Sequence, residues 1–245
     1  MARKSESLYD TSEIALPTWY DLYYIKIETE TGVFALKTLC SNQEDGLIKI
    51  RKELDDHINK DDFYKSLDEE QQSSYRHQIY GMGDSIHDEL ERQQRYSMCM
   101  SAYSFFEGRL REICYLIEKT FSYKIKIADL SNQQDLILYR NYLEKVFEVD
   151  LGPAEPYFTP INQQKKTRNV ITHQDGWASS EQAKKLVERN GLKIEKRGES
   201  FKIEIVKPSY INNLLDQMKK YFDVVFPILE KRYDLLKSNN KAVIN

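Results

Sequence analysis

Helix breakers are scarce in this chain, with nine glycines and six prolines in 245 residues. With so few of them, and abundant Lys, Glu, Leu and Gln, the composition favours helices. Cysteine is scarce too. Cys40, Cys99 and Cys114 are far apart and odd in number, which excludes a disulfide framework and a cysteine-based zinc site. No apolar run approaches the ~18 residues of a membrane span, so no membrane partner is expected. The opening "MARKSESLYD" has no apolar core, so no secretory leader is expected and a reducing cytoplasm is the simplest home. "GMGDS" at 81–85 lacks the Lys-Ser/Thr of a phosphate loop. A G-x-S-x-G nucleophile elbow, a local Cys–His signature, internal repeats and low-complexity segments are also missing.

What is present is a soluble globular balance, 40% apolar and 31% charged. The net charge of −3 is unevenly spread. Residues 52–91 carry 12 acidic and 4 basic side chains, a local balance of −8. Residues 163–207 carry 11 basic and 6 acidic, a balance of +5. These are either two solvated faces of opposite sign or a basic part that faces an anion such as RNA.

Apolar spacing lays out the elements. Residues 19–39 fit a helix better than a hairpin around "ETETG". A second helix is expected over 46–59, with Leu47, Ile50, Leu54 and His57 or Ile58 on one side, then a break at "NKDDFYKSLDEE". The strongest element spans about 69–120. In it Cys99, Ala102, Phe106, Leu110, Ile113 and Ile117 recur at three and four residues and line one face. Gly108 within it predicts close approach of a neighbouring helix. "SNQQDLILYRNYLEKVFEVD" reads as another helix capped by Ser131 or Asn132. "LGPAEPYFTP" reads as a loop. A helix carrying "INQQKKTRNVITH" ends near Gly176, and a short helix follows over 180–189. Leu192, Ile194, Phe201, Ile203 and Ile205 alternate around "RGE" as a β-hairpin. A long closing helix starts near Pro208, with a kink expected at Pro227. The expected fold is an all-α helical bundle with one small β-hairpin inserted before the last helix.

The stretch "TRNVITHQDGW" carries the densest chemistry. On a helix Asn169 and His173 are four apart and share a face. Arg168 lies about 140° round from His173, and its long side chain can curl back. That would gather a guanidinium, an amide and an imidazole. The guanidinium matches a phosphate and stays charged; the imidazole exchanges a proton near neutrality. RNA cleavage by its own 2′-hydroxyl needs a base, an acid and a cation for the charged phosphorane, and no metal. One histidine is awkward in both proton roles, so a two-fold dimer apposing two motifs is the natural completion. The plainer reading has His173 and Asn169 closing a helix end.

With its R-x(4)-H spacing, the polar Asn169 after the arginine, the trailing Gly176 and the preceding "YSFFEGRLREI", the chain resembles the HEPN superfamily over residues 85–236. That resemblance implies an all-α bundle that dimerises to build a composite site. It implies a metal-independent endoribonuclease in a toxin–antitoxin or antiviral-defence setting, without cofactor or metal. Its partners would be RNA, a second copy of the chain and an antitoxin or regulatory protein. Some members lack nuclease activity, so a non-catalytic dimer that binds RNA, a nucleotide or a partner protein is the alternative. Arg168, Asn169 and His173 would be catalytic. Glu107, on the preceding long helix, would face them or else pair with Arg111. Lys165 and Lys166 would hold the RNA backbone, at least one of them being simply solvated. Trp177 would stack on a base, or more plainly be a buried anchor at the helix end. Residues 1–84 form an N-terminal helical extension of unassigned role, and 237–245 a tail.

Two further clusters are discounted. Arg51 and His57, with five residues between them, fit the broader R-x(4–6)-H pattern but lie among acids and read as a helix surface. Asp84, His87, Asp88 and Glu91 resemble half of a di-iron bundle site whose second half is missing, and read as a solvated face.

Overall fold

The computed structural model describes residues 17–130, 135–186 and 189–242, with side chains to residue 239. They are mostly helical, with one small antiparallel sheet. The helices are α1 (Tyr20–Ile58), α2 (Asp62–Ser66), α3 (Glu69–Tyr75), α4 (Gly81–Phe121), α5 (Ile127–Leu130), α6 (Leu136–Lys145), α7 (Glu155–Gln174), α8 (Ser180–Ala183) and α9 (Ser209–Ala242). The strands are β1 (Trp177–Ala178), β2 (Leu192–Arg197) and β3 (Ser200–Ile205). No helix among the described residues is long and apolar enough to cross a membrane.

The core forms where the apolar stripes of α4 and α9 meet. Cys99, Ala102, Phe106, Leu110, Ile113 and Ile117 are all fully buried, as their spacing predicts. Phe106 lies 5.2 Å from the Tyr221 ring and 5.1 Å from the Phe222 ring of α9. α9 runs through Pro227 to Ala242. α1 lays a narrow stripe, Leu22, Ile25, Val33, Cys40 and Leu47, against α4 and α9. Trp19, Leu22, Ile25, Val33 and Cys40 belong to the same hydrophobic cluster as Phe106 and Tyr221. The N-terminal segment therefore shares the core of the motif-bearing part.

Five expectations differ from the structure. α1 is one helix of 39 residues, not two. A Cβ on Gly46 would meet nothing, so Gly46 sits on the open side while the buried stripe runs past it from Cys40 to Leu47 to Ile58. Ile50, expected inside, is exposed along with His57. The close helix approach occurs at Gly32, where a Cβ would collide with Phe105; a Cβ on Gly108 would meet nothing. "LGPAEPYFTP" is not a loop: a 3-10 turn at Gly152–Ala154 leads directly into α7 at Glu155. Pro156 falls in the first turn, where no N–H is needed. Phe158 packs on Tyr221 at 5.7 Å and under Arg140 at 4.7 Å, and that packing outweighs the cost of Pro160 inside the helix. The cap of α6 is Asp135, which accepts from the N–H groups of Ile137 and Leu138; Ser131 and Asn132 lie outside the described residues.

The hairpin has the expected register, with Leu192 opposite Ile205, Ile194 opposite Ile203 and Arg197 opposite Ser200. The two-residue β1 adds to its far side, pairing Trp177 with Lys202 and Ala178 with Phe201. The sheet thus begins three residues after the motif helix ends, which ties the end of α7 to β3.

Candidate functional site

α7 presents Arg168 and Asn169 in its last turns, His173 one residue before its end, and Lys165 and Lys166 one turn earlier. Phe158, Ile161, Thr167, Val170 and Ile171 bury the opposite side. Arg168 is half-buried against α4, its Cζ 5.5 Å from the centre of the Tyr103 ring. Its Nη1 donates to Asn169 Oδ1 at 3.1 Å. Its Nε is buried without a hydrogen-bond partner among the described residues. Arg51, Arg76, Arg92, Arg95, Arg109, Arg140, Arg197 and Arg232 each pair with a carboxylate. Arg168 has no such partner among the described residues, so a positioned guanidinium keeps donors for an outside anion.

Glu107 lies one turn beyond Tyr103 on α4. Burial pushes the Tyr103 hydroxyl well up; the Glu107 charge adds to that and the Arg168 charge opposes it. Glu107 and Arg168 thus act on the same ring from two helices. The alternative pairing of Glu107 with Arg111 is not found among the described residues. Lys165 is bound to Asp135 at 2.8 Å, whereas Lys166 is exposed. His173 is exposed and has no hydrogen-bond or ion-pair partner among the described residues. The structure brings Arg168, Asn169 and Tyr103 together, with Glu107 near; it does not hold His173 to any of them.

The turn after α7 is anchored from three directions. Asp175 and Gly176 both take left-handed backbone, with φ of 50° and 79°. Gly176 N–H donates to Val170 O at 3.2 Å, and Ile203 N–H to Gly176 O at 2.8 Å. Arg92 Nη1 donates to Asp175 Oδ1 at 2.6 Å, and the buried Lys202 donates Nζ–H to Asp175 O at 2.7 Å. Tyr96 O–H donates to Ile203 O beneath Gly176, and burial pushes its pKa up to about 12. Trp177 is not the buried anchor expected. It is 41% exposed, because strand alternation turns Ala178 inward, and Lys202 Nζ sits 4.8 Å from its ring centre.

Arg92, Lys202, Tyr96 and Tyr103 escaped the sequence reading. Nothing local marks them, since Arg92 is 83 residues from the Asp175 it binds. The Arg92 guanidinium, with help from Gln93, holds the Glu89 carboxyl at about 2, far below the ordinary carboxylate range. A depressed carboxylate stabilises the fold above its unfolded pKa, and that contribution fades as pH falls through the folded value. NMR titration should therefore place Glu89 near 2, returning to the ordinary range in Arg92→Ala; a wild-type Glu89 titrating in the ordinary range would contradict the pairing.

The discounted clusters also change. Asp84 is bound by Arg51 at 2.9 Å and Arg76 at 3.0 Å, and His87 is only 9% exposed. Asp84 and His87 therefore sit in a half-buried seam between α1 and α4, while Asp88 stays on the solvated face. Arg51 is tied into the same seam and only His57 of that pair is a plain surface residue.

No protein-family model matches the chain, and no curated protein or solved structure matches it. The chemistry of the site rests on its own residues.

Proposed function

We propose that the chain is a homodimeric, metal-independent endoribonuclease of HEPN type, acting in a toxin–antitoxin or defence setting. The observation that carries this reading is Arg168. It is a half-buried, oriented cation with no carboxylate partner among the described residues, and an exposed histidine lies five residues on along the same helix. In the proposed reaction His173 of one copy takes the 2′-hydroxyl proton. His173 of the second copy protonates the departing 5′ oxygen. Arg168 holds the phosphate and stabilises the phosphorane, and Asn169 fixes the guanidinium through its amide oxygen. Glu107 orients the pocket across Tyr103. Lys166 is placed to follow the RNA backbone, and Trp177 offers a face for a base.

Among the described residues nothing hydrogen-bonds His173 to orient its ring, and this favours the second reading, a dimer that binds RNA without cutting it. Product mapping separates them. Single-stranded RNA incubated with the protein should yield 2′,3′-cyclic phosphate and 5′-hydroxyl ends. Salt-sensitive RNA binding without product would support the binding dimer, and 3′-hydroxyl ends would refute the mechanism.

A further inference from the structure

We propose that His87, Asp88 and Glu91 on α4 form a site for one divalent transition-metal ion, with zinc the best match. This is independent of the RNA-cleavage reading. One ligand atom from each residue lies within 4.8 Å of the other two. His87 and Glu91, four residues apart, stack on one helix face, and Asp88 reaches in from beside them.

The imidazole carries the argument. His87 is 9% exposed, and its Nε2 lies 3.2 Å from Leu47 O on α1. A carbonyl only accepts, so Nε2 carries the hydrogen and Nδ1 of the neutral ring keeps its lone pair. That Nδ1 is buried and has no hydrogen-bond partner among the described residues. It faces Asp88 Oδ1 at 3.6 Å, beyond hydrogen-bond range. One ring nitrogen bound to a backbone carbonyl and the other presenting a lone pair to nearby carboxylates is how proteins orient a metal-binding histidine.

Of the other two ligands Asp88 is free to adjust, and Glu91 has one oxygen to spare. The Asp88 side chain is 75% exposed. Glu91 gives an oxygen to Arg95 Nη1 at 2.5 Å and has a second. Modest side-chain rotation closes the spacing toward the ~3.3 Å set by tetrahedral bonds of about 2.0 Å. The ion has a route in. Asp88 and Glu91 line a cleft of about 640 Å³ beside the sheet, and His87 and Glu91 line one of about 400 Å³ between α1 and α4. One imidazole nitrogen and two carboxylate oxygens suit zinc with an open fourth position, whereas magnesium and calcium prefer oxygen alone.

The test is zinc titration of the full chain, stripped of metal, by calorimetry, with cobalt absorbance as a second readout. Wild type should take up one ion per chain. Asp88→Asn, a surface change that leaves packing intact, and His87→Gln should each bind about tenfold to a hundredfold more weakly. A wild type that takes up no zinc overturns the site. So does equal binding by Asp88→Asn and Glu91→Gln. His173→Ala should bind as wild type does; zinc uptake lost in that variant would move the ion to the α7 motif and sink the proposal.

Discussion

Arg168→Lys should leave the protein folded and lower RNA cleavage by on the order of a hundredfold. The reason is shape rather than charge. The Arg168 guanidinium lies over Tyr103, gives one N–H to Asn169 and has donors left over. A planar fork of this kind grips two phosphate oxygens at once, whereas a lysine offers a point charge on a flexible stem. Lysine still fills the space over Tyr103, so the melting curve should barely move. Alanine would leave a gap there and confuse stability with chemistry. The loss should fall on kcat if Arg168 acts on the phosphorane, and on KM alone if it only binds RNA. Cleavage by Arg168→Lys at the wild-type rate would remove Arg168 from the mechanism.

Gly176→Ala should destabilise the fold by about 2–5 kcal/mol and weaken cleavage with it. Gly176 has φ of 79°, which costs an L-residue about 1–2 kcal/mol. A Cβ there would also collide with the Tyr96 hydroxyl and come within 3.1 Å of Ile203 O. Tyr96 would have to leave, and a buried carbonyl would lose its donor, at about 1–3 kcal/mol. Gly198→Ala is the control. Gly198 has φ of 64°, but its Cβ would meet open space, so that change carries the backbone cost alone. Urea unfolding of the two variants separates the contributions. A Gly176→Ala no less stable than Gly198→Ala would show that the Tyr96 lock contributes nothing.

These two positions also mark where the sequence could be read and where it could not. The stripe from Cys99 to Ile117 is periodic and burial follows it, whereas in the hairpin Leu192, Ile203 and Ile205 are buried as alternation predicts but Lys202 is buried as well. The motif residues were legible because Arg168, Asn169 and His173 sit on one helix. What positions Arg168 and the turn after α7 was not: Tyr103, Arg92, Tyr96 and Lys202 come from α4 and β3, and only the tertiary fold brings them to the end of α7. Trp177 was misread as an anchor because a two-residue strand leaves too short an alternation to see. Glycines misled in both directions. Gly46 and Gly108 have open space beside them, while Gly32, unremarked in sequence, is the one pressed against Phe105. Prolines misled at Pro156 and Pro160, where burial of Phe158 overrides a local breaker. The seam at Asp84 and His87 looked solvated because its cationic partners Arg51 and Arg76 lie on other turns of the chain.

RNA cleavage in EDTA, wild type beside His173→Ala, is the most direct test of the central claim. His173 is exposed, so its loss should leave the fold intact. Wild type should cut RNA with the chelator present, and His173→Ala should lose at least about a hundredfold in rate, as expected when a proton-transfer group is removed. Equal cleavage by both proteins, or wild-type cleavage abolished by EDTA, would contradict a metal-independent site built on His173.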